Sequence, residues 1–161
     1  MVVIVMGVSG SGKTTVATQL ASELDWKFLD ADSLHSPASI AKMQAGVPLN
    51  DADRAPWLQT LRHEIERSLA KDENLTLACS ALKRVYREQV LVNSDVKLVY
   101  LRGTAQVLRQ RLKQRVGHFM SEQLLASQLE TLEEPSEAVT VDVRHSVDEI
   151  VAEARERLHL G

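Results

Sequence analysis

Residues 7–14 read Gly-Val-Ser-Gly-Ser-Gly-Lys-Thr, a G-x-x-x-x-G-K-T loop that follows the apolar run Val2-Val3-Ile4-Val5-Met6 and leads into a helical pattern from Thr15 to Leu24. Strand, glycine loop and helix in that order are the context this motif needs before it counts as a phosphate site. The glycines let the backbone curl so that successive N–H groups face phosphate oxygens, and the helix N-terminus behind them adds about half a positive charge. Gly7, Ser9, Gly10, Ser11, Gly12, Lys13, Thr14 and Thr15 are therefore the candidate nucleotide contacts. Lys13 is expected to reach the β- and γ-phosphates, and the Thr14 hydroxyl to ligate Mg²⁺. A plain Gly/Ser turn between a strand and a helix accounts for one glycine but not for Lys-Thr at this spacing. The chain is expected to bind a nucleoside triphosphate.

Beyond the loop, short apolar segments alternate with helical patterns, which is the signature of a parallel sheet with helices on both faces. The spacing predicts strands over 2–6, 27–29, 75–79, 96–101 and 139–143. It predicts helices over 13–24, 38–45, 53–71, 84–92, 104–115, 121–131 and 147–158. Ser146-Val-Asp-Glu149 reads as a capping box, Pro37 sits where a first helical turn tolerates it, and Thr104 follows Gly103 as an N-cap. A chain of 161 residues is expected to be one domain, 1–161, around a single core. Nineteen Lys and Arg against 22 Asp and Glu leave a net charge of −3. That balance offers no general attraction for nucleic acid, so an anionic ligand must be held by a local cluster of cations. The lone cysteine, Cys79, permits no intrachain disulfide and fits a reducing compartment. The N-terminal apolar run is too short for a signal peptide, and no stretch approaches the ~20 apolar residues of a membrane span. A cytoplasmic protein with no membrane association is expected.

The acidic residues narrow the reaction. The 75–79 strand ends Ala78-Cys79-Ser80 without an acid, and no Asn-Lys-x-Asp guanine-reading element occurs, which argues against a GTPase. The early strand instead ends Asp30-Ala31-Asp32. Two carboxylates one residue apart at the carboxyl end of a strand project differently, so one can organise a Mg²⁺ shell while the other faces an acceptor hydroxyl. The same pattern also serves as a simple turn or helix cap. After it come His35, Lys42-Met43 and the run Gly46 to Leu58, in which Arg54 opens an amphipathic helix with Trp57, Leu58, Leu61 and Ile65 on its apolar face. An Arg in a first helical turn opposes the helix dipole, which invites a functional reason or a pairing with Asp51 or Asp53. Trp57 reads as core. Ser80, Lys83, Arg84 and Arg87 leave the third strand together, either to hold a carboxylate or phosphate or as a solvated basic turn. Cys79 reads as a small buried filler. The 116–123 stretch, Val-Gly-His-Phe-Met-Ser-Glu-Gln, is either a lid or an ordinary helix–helix turn.

Taken together, these segments resemble the gluconokinase family. The phosphate loop is generic to many kinases. The specific part lies in Phe-Leu-Asp-Ala-Asp-Ser-Leu-His, Lys-Met-Gln-Ala-Gly-Val-Pro-Leu-Asn-Asp-Ala-Asp-Arg-Ala-Pro-Trp-Leu and Cys-Ser-Ala-Leu-Lys-Arg-Val-Tyr-Arg, followed by Gly-His-Phe-Met, Ser-Gln and Leu-Glu-Glu-Pro. The likeness runs from residue 3 to about 135. It departs at Ala31, where a Gly is common, and at Ser39, where an Asn is usual.

The resemblance implies a P-loop, nucleoside-monophosphate-kinase-like fold with a five-stranded parallel sheet, usually in a homodimer. It implies ATP- and Mg²⁺-dependent phosphorylation of D-gluconate on its terminal hydroxyl, giving 6-phosphogluconate. On that reading Thr14 and Asp30 organise Mg²⁺, Asp32 accepts the proton of the acceptor hydroxyl, and Lys13 and Arg115 bear on the transferring phosphoryl group. Arg111 stacks on adenine by similarity to the wider kinase superfamily, although 109, 111, 113 and 115 also read as a solvated basic face. His35, Arg54, Lys83, Arg87 and His118 share the hydroxyls and carboxylate of the sugar acid. Two other readings stay open: a shikimate-kinase-like enzyme, which shares the loop and the Asp pair, and a nucleotide-binding module that does not catalyse.

Overall fold

The computed structural model describes residues 1–114 and 122–161. Five strands, β1 (Val2–Met6), β2 (Lys27–Asp30), β3 (Leu75–Ala78), β4 (Val96–Arg102) and β5 (Val139–Asp142), form one sheet. Its order is β2-β3-β1-β4-β5 and every pairing is parallel. β1 lies in the middle, and all five of its residues are fully buried. A strand covered on both faces needs apolar side chains at every position, which is why it reads as an unbroken run.

The described residues form seven α-helices, of which α1, α3, α4 and α7 pack on the sheet: α1 (Lys13–Leu24), α2 (Pro37–Gln44), α3 (Asp51–Ala70), α4 (Arg84–Val90), α5 (Ala105–Gln114), α6 (Glu122–Thr131) and α7 (Val147–Arg157). Alternation along β1 decides which layer each residue joins. Val3 and Val5 meet Val16 and Leu20 of α1 and Ile150 and Val151 of α7. Val2, Ile4 and Met6 meet Trp57, Leu61 and Ile65 of α3 and Tyr86 and Val90 of α4. Each such buried side chain contributes roughly 1.5–3 kcal/mol. Thr76, a polar residue with no exposure, is satisfied by donating to the Ala17 carbonyl at 2.9 Å, which ties β3 to α1.

The element boundaries follow the sequence to within one or two residues, and the differences have local causes. α3 starts at Asp51 rather than 53 because Asn50 and Asp53 form a reciprocal capping box. Pro37 and the Ser36 cap start α2 one residue early. A short 3₁₀ turn, Ala31–Leu34, follows β2 and was not expected from the sequence. Thr104 caps α5 through the Val107 N–H, and the Ser146 hydroxyl accepts from the Glu149 N–H at the start of α7.

β1 and its neighbour β3 send their following helices, α1 and α4, over opposite faces of the sheet. Such a divergence opens a crevice at the carboxyl ends of the two strands, where ligands of open α/β sheets bind. Among the described residues no helix is long and apolar enough to cross a membrane.

Candidate functional site

The phosphate loop is built from backbone that most residues cannot adopt. Gly10 and Gly12 sit at φ 83° and 91°, in the left-handed region that favours glycine. A Cβ on Gly10 would also stand 3.1 Å from the Leu108 carbonyl, so α5 closes against the loop there. Inside the loop the Val8 carbonyl gathers the Ser11 N–H (3.2 Å), the Ser11 hydroxyl (2.7 Å) and the Lys13 ammonium (3.2 Å). Thr14 and Thr15 are exposed on the first turn of α1. Arg111 of α5 lies over the loop: its guanidinium would be 4.0 Å from a Cβ at Gly12, and it donates to the Val143 carbonyl after β5.

At the end of β2, Asp30 caps the 3₁₀ turn, its Oδ1 accepting from the Asp32 N–H at 3.0 Å. The cap and the functional readings of the Asp pair are thus not exclusive, because the cap aims Asp32 into the crevice where Lys13 lies. Burial pushes the Asp30 carboxyl above its usual range, offset in part by the hydrogen bond from Asp32. Burial raises Asp32 as well, against the pull of the Lys13 charge. His35 stacks on Trp57 with ring centroids 4.4 Å apart, and its Nε2 stands 3.9 Å from Asp32 Oδ1. Burial, helped by the Arg54 charge, lowers the His35 pKa to about 4, so the ring is neutral at pH 7. Trp57 belongs to the core, as the sequence suggests, yet it also floors the crevice, with its Nε1 donating to the Ala31 carbonyl at 2.7 Å.

The far wall comes from α2 to α3, from the β3–α4 loop and from α6. Arg54 faces the crevice with Met43, Pro48 and Leu49, Ser80 and Leu82 contribute beside it, and Leu124, Ser127, Gln128 and Thr131 present one face of α6. Arg54 is held from behind by α4: its Nη1 donates to the Tyr86 hydroxyl at 3.2 Å, and its guanidinium lies 5.4 Å from the Tyr86 ring centroid. The Tyr86 hydroxyl in turn donates to Asp51. Neither Asp51 nor Asp53 ties Arg54 down directly. Asp53 bonds Lys42 at 3.0 Å, and Asp51 bonds Lys83 at 3.3 Å.

Residues 2–135 match a family model described as an AAA domain. A gluconokinase from Gluconobacter oxydans (strain 621H) is 48% identical over 135 residues, covering 83% of this chain and 76% of its own. Among solved structures, a sugar kinase from Janibacter sp. HTCC2649 superposes with a TM-score of 0.92 at 42% identity, covering 99% of this chain and 95% of that one. A gluconokinase from Sinorhizobium meliloti 1021 gives a TM-score of 0.87, also at 42% identity, covering 98% of this chain and 90% of that one. The chain belongs to the gluconokinase family. A shikimate kinase from Aquifex aeolicus vf5 shares the fold at a TM-score of 0.64 but only 16% identity, over 99% of this chain and 96% of that one.

Within this gluconokinase scaffold the fold gathers some of the expected site residues and separates others. Lys13, Asp32, His35 and Arg54 line one crevice. Lys83 is not among the residues that line it; it is engaged by Asp51 and lies 5.6 Å from the Tyr86 ring centroid. Arg87 departs from the expected cluster. It is 3% exposed, and its Nη1 donates to the carbonyls of Ala81 and Leu82 at 2.8 and 3.1 Å. Its guanidinium therefore pins the β3–α4 loop from behind and does not line the crevice. Arg115, His118 and most of the 116–123 lid candidate lie outside the described residues. Cys79 is buried, and burial pushes its thiol up to about 12, consistent with a filler. The α6 face was given no role in the crevice from sequence, although its Ser127-Gln128 pair belongs to the family likeness. Its signal was the spacing 124, 127, 128, 131, one helical stripe carrying two hydroxyls and an amide beside its leucines.

Proposed function

We infer that this protein transfers the γ-phosphoryl group of ATP to the terminal hydroxyl of D-gluconate, giving 6-phospho-D-gluconate and ADP. The observation that carries this reading is the meeting of Lys13, Asp32 and Arg54 in one crevice: a phosphate-binding cation, a carboxylate for an acceptor hydroxyl, and a cation for an acceptor anion.

Phosphoryl transfer asks the protein mainly for alignment and charge stabilisation, because the transition state is loose and its charge rests on phosphoryl oxygens. Backbone N–H groups of the 7–14 loop, apart from that of Ser9, which is spent on Gln128 together with its hydroxyl, and the Lys13 ammonium cradle the triphosphate. Asp32 orients the acceptor hydroxyl and takes its proton as the O–P bond forms. The raised pKa of Asp32, set by burial, makes its carboxylate a stronger base than an exposed one. Arg54 pairs with the gluconate carboxylate, while neutral His35 donates or accepts a hydrogen bond along the polyol.

Among the described residues no group of three or more His, Cys, Asp or Glu is placed to cage a metal. That suits Mg²⁺, which keeps waters and takes one or two protein oxygens together with substrate phosphates. The Thr14 hydroxyl and the Asp30 carboxylate are hard donors of that kind, and the ion supplies neutralisation of β- and γ-phosphate charge. Arg111 is assigned to the adenine by similarity to the wider kinase superfamily, a reading supported by its position beside Gly12 and Val143. Arg115 is assigned to the transferring phosphoryl group and His118 to the sugar acid, both from the family resemblance. Lys83 is assigned to the sugar acid from the family resemblance alone. We further propose a cytoplasmic homodimer without nucleic-acid or membrane partners, on the family resemblance, the lone cysteine and the mild net negative charge.

A coupled ADP-release assay tests the reading with gluconate, glucose, gluconolactone and shikimate as acceptors. Gluconate should turn over fastest. The uncharged acceptors should be poor because they leave Arg54 unpaired in a desolvated site. Faster turnover of glucose or shikimate at equal concentration would overturn it.

A further inference from the structure

One long-range contact at the crevice has no part in the chemistry above. Gln128, in the middle of α6, accepts two hydrogen bonds at Oε1 from a single residue of the phosphate loop: the Ser9 N–H at 2.7 Å and the Ser9 hydroxyl at 3.0 Å. Ser9 is 4% exposed, so its backbone donor has little access to water as a replacement. A backbone N–H can only donate, so the carbonyl branch of the Gln128 amide must face the loop. The contact spans 119 positions of sequence. Beside it, Val8 of the loop and Leu125 of α6 share an apolar cluster with Leu108 and Leu112 of α5.

The residues around Gln128 on α6, Ser127 and Thr131, line the same crevice as Asp32 and Arg54. The helix that walls the acceptor side is therefore hydrogen-bonded to the loop that holds the donor. Whatever fixes Ser9 also fixes α6. A triphosphate seated on the loop N–H groups immobilises Ser9, and the two bonds to Gln128 pass that order to the acceptor wall.

We propose that Gln128 is a positioning residue that couples the phosphate loop to α6, so that nucleotide binding orders the acceptor wall. The proposal deepens the kinase reading and rests on it for the identity of the two ligands. It places no demand on the residues between α5 and α6. The shape of the contact can be kept while its chemistry is weakened: Gln128→Met preserves length and bulk but offers Ser9 only a weak thioether acceptor, and Ser9→Ala removes one of the two bonds.

The test is hydrogen exchange of the whole protein with and without a non-hydrolysable ATP analogue and Mg²⁺, a readout that needs no acceptor. In the wild type the analogue should slow exchange both in the loop, 7–14, and in α6, 122–131, by at least ~5-fold, the lower end of ordinary site–site coupling. In Gln128→Met the loop should keep its protection while that of α6 falls to less than half, with Ser9→Ala between the two. In turnover, kcat for gluconate should fall about 10-fold or more in Gln128→Met with KM for ATP changed less than ~3-fold, the split expected when alignment is lost but binding is not. Full α6 protection in Gln128→Met would overturn the proposal and assign the link to the Val8–Leu125 contact. Protection of the loop without α6 in the wild type would overturn it as well. Failure of gluconate as an acceptor appears separately, as absent ADP release by the wild type, and leaves the exchange result standing.

Discussion

The two sides of the crevice are built on opposite principles. The proposed donor side is one continuous segment, residues 7–15, which would act largely through backbone N–H groups shaped by the left-handed turns at Gly10 and Gly12. The proposed acceptor side is assembled from side chains on separate elements that line the crevice: Asp32 after β2, Arg54 on α3, Ser80 after β3 and the 124–131 face of α6. A backbone site needs a few residues in a fixed local order, so it tolerates little variation and reads directly as a motif. A side-chain site needs only that the fold deliver the right groups to one place, and each group can be recruited from far along the chain.

The contrast predicts how each side fails. The largest effect belongs to the donor side. Lys13→Ala should lower kcat by at least ~10³-fold, comparable to losing a preorganised charge at a transition state, while chemical denaturation stays cooperative. Unfolding of the variant, or near wild-type turnover, would break the assignment of the loop.

Next is the carboxylate that joins the two sides. Asp32→Asn should cut kcat by ~10²-fold or more with nucleotide binding preserved, as expected for loss of a general base. Asp30→Asn keeps an oxygen to accept from the Asp32 N–H, so it should instead raise the Mg²⁺ concentration needed for half-maximal rate. Equal shifts in the Mg²⁺ dependence of both variants would erase the distinction between them.

On the acceptor side, two arginines that look alike in sequence should behave differently. Arg54→Ala should raise KM for gluconate by roughly 10²-fold with little change for ATP, because it leaves a bound carboxylate without its cation. Arg87→Ala should act on the fold, since it strips partners from the Ala81 and Leu82 carbonyls. A stability loss of about 1–3 kcal/mol is expected, measured as a lower denaturant midpoint, because buried acceptors are left unmade. A selective gluconate defect in Arg87→Ala with unchanged stability would reverse the roles drawn here.

The smallest effect at working pH, and the most specific on acidification, is that of His35. Its pKa is lowered in the folded state from 6.5 to about 4, chiefly by burial. Above pH 6.5 the ring is neutral whether folded or unfolded. Below that the unfolded chain takes up a proton that the folded protein refuses, so stability is lost as pH falls toward 4. The loss is on the order of 3 kcal/mol over this window. Wild type and His35→Gln should therefore converge in stability between pH 7 and pH 4, as read by denaturant midpoints. Parallel curves would mean that His35 titrates normally.

The sequence by itself determined the parts whose physics is local. The loop needs only its own glycines and the helix behind it. β1 is apolar at every position because it is covered on both faces, and Ser36, Thr104 and Ser146 cap the helices that follow them. Tertiary structure decided the parts that depend on direction. Arg54 and Arg87 both read as cations near the substrate, and only the packing of α4 against α3 turns one toward the crevice and buries the other against Ala81 and Leu82. The sequence leaves the charge of His35 undetermined, and burial in the fold, where the ring stacks on Trp57, holds it neutral. Gln128 stands in the Ser-Gln pair of the family likeness, yet its role lies in a hydrogen bond to Ser9 that only the folding of α6 against the phosphate loop creates.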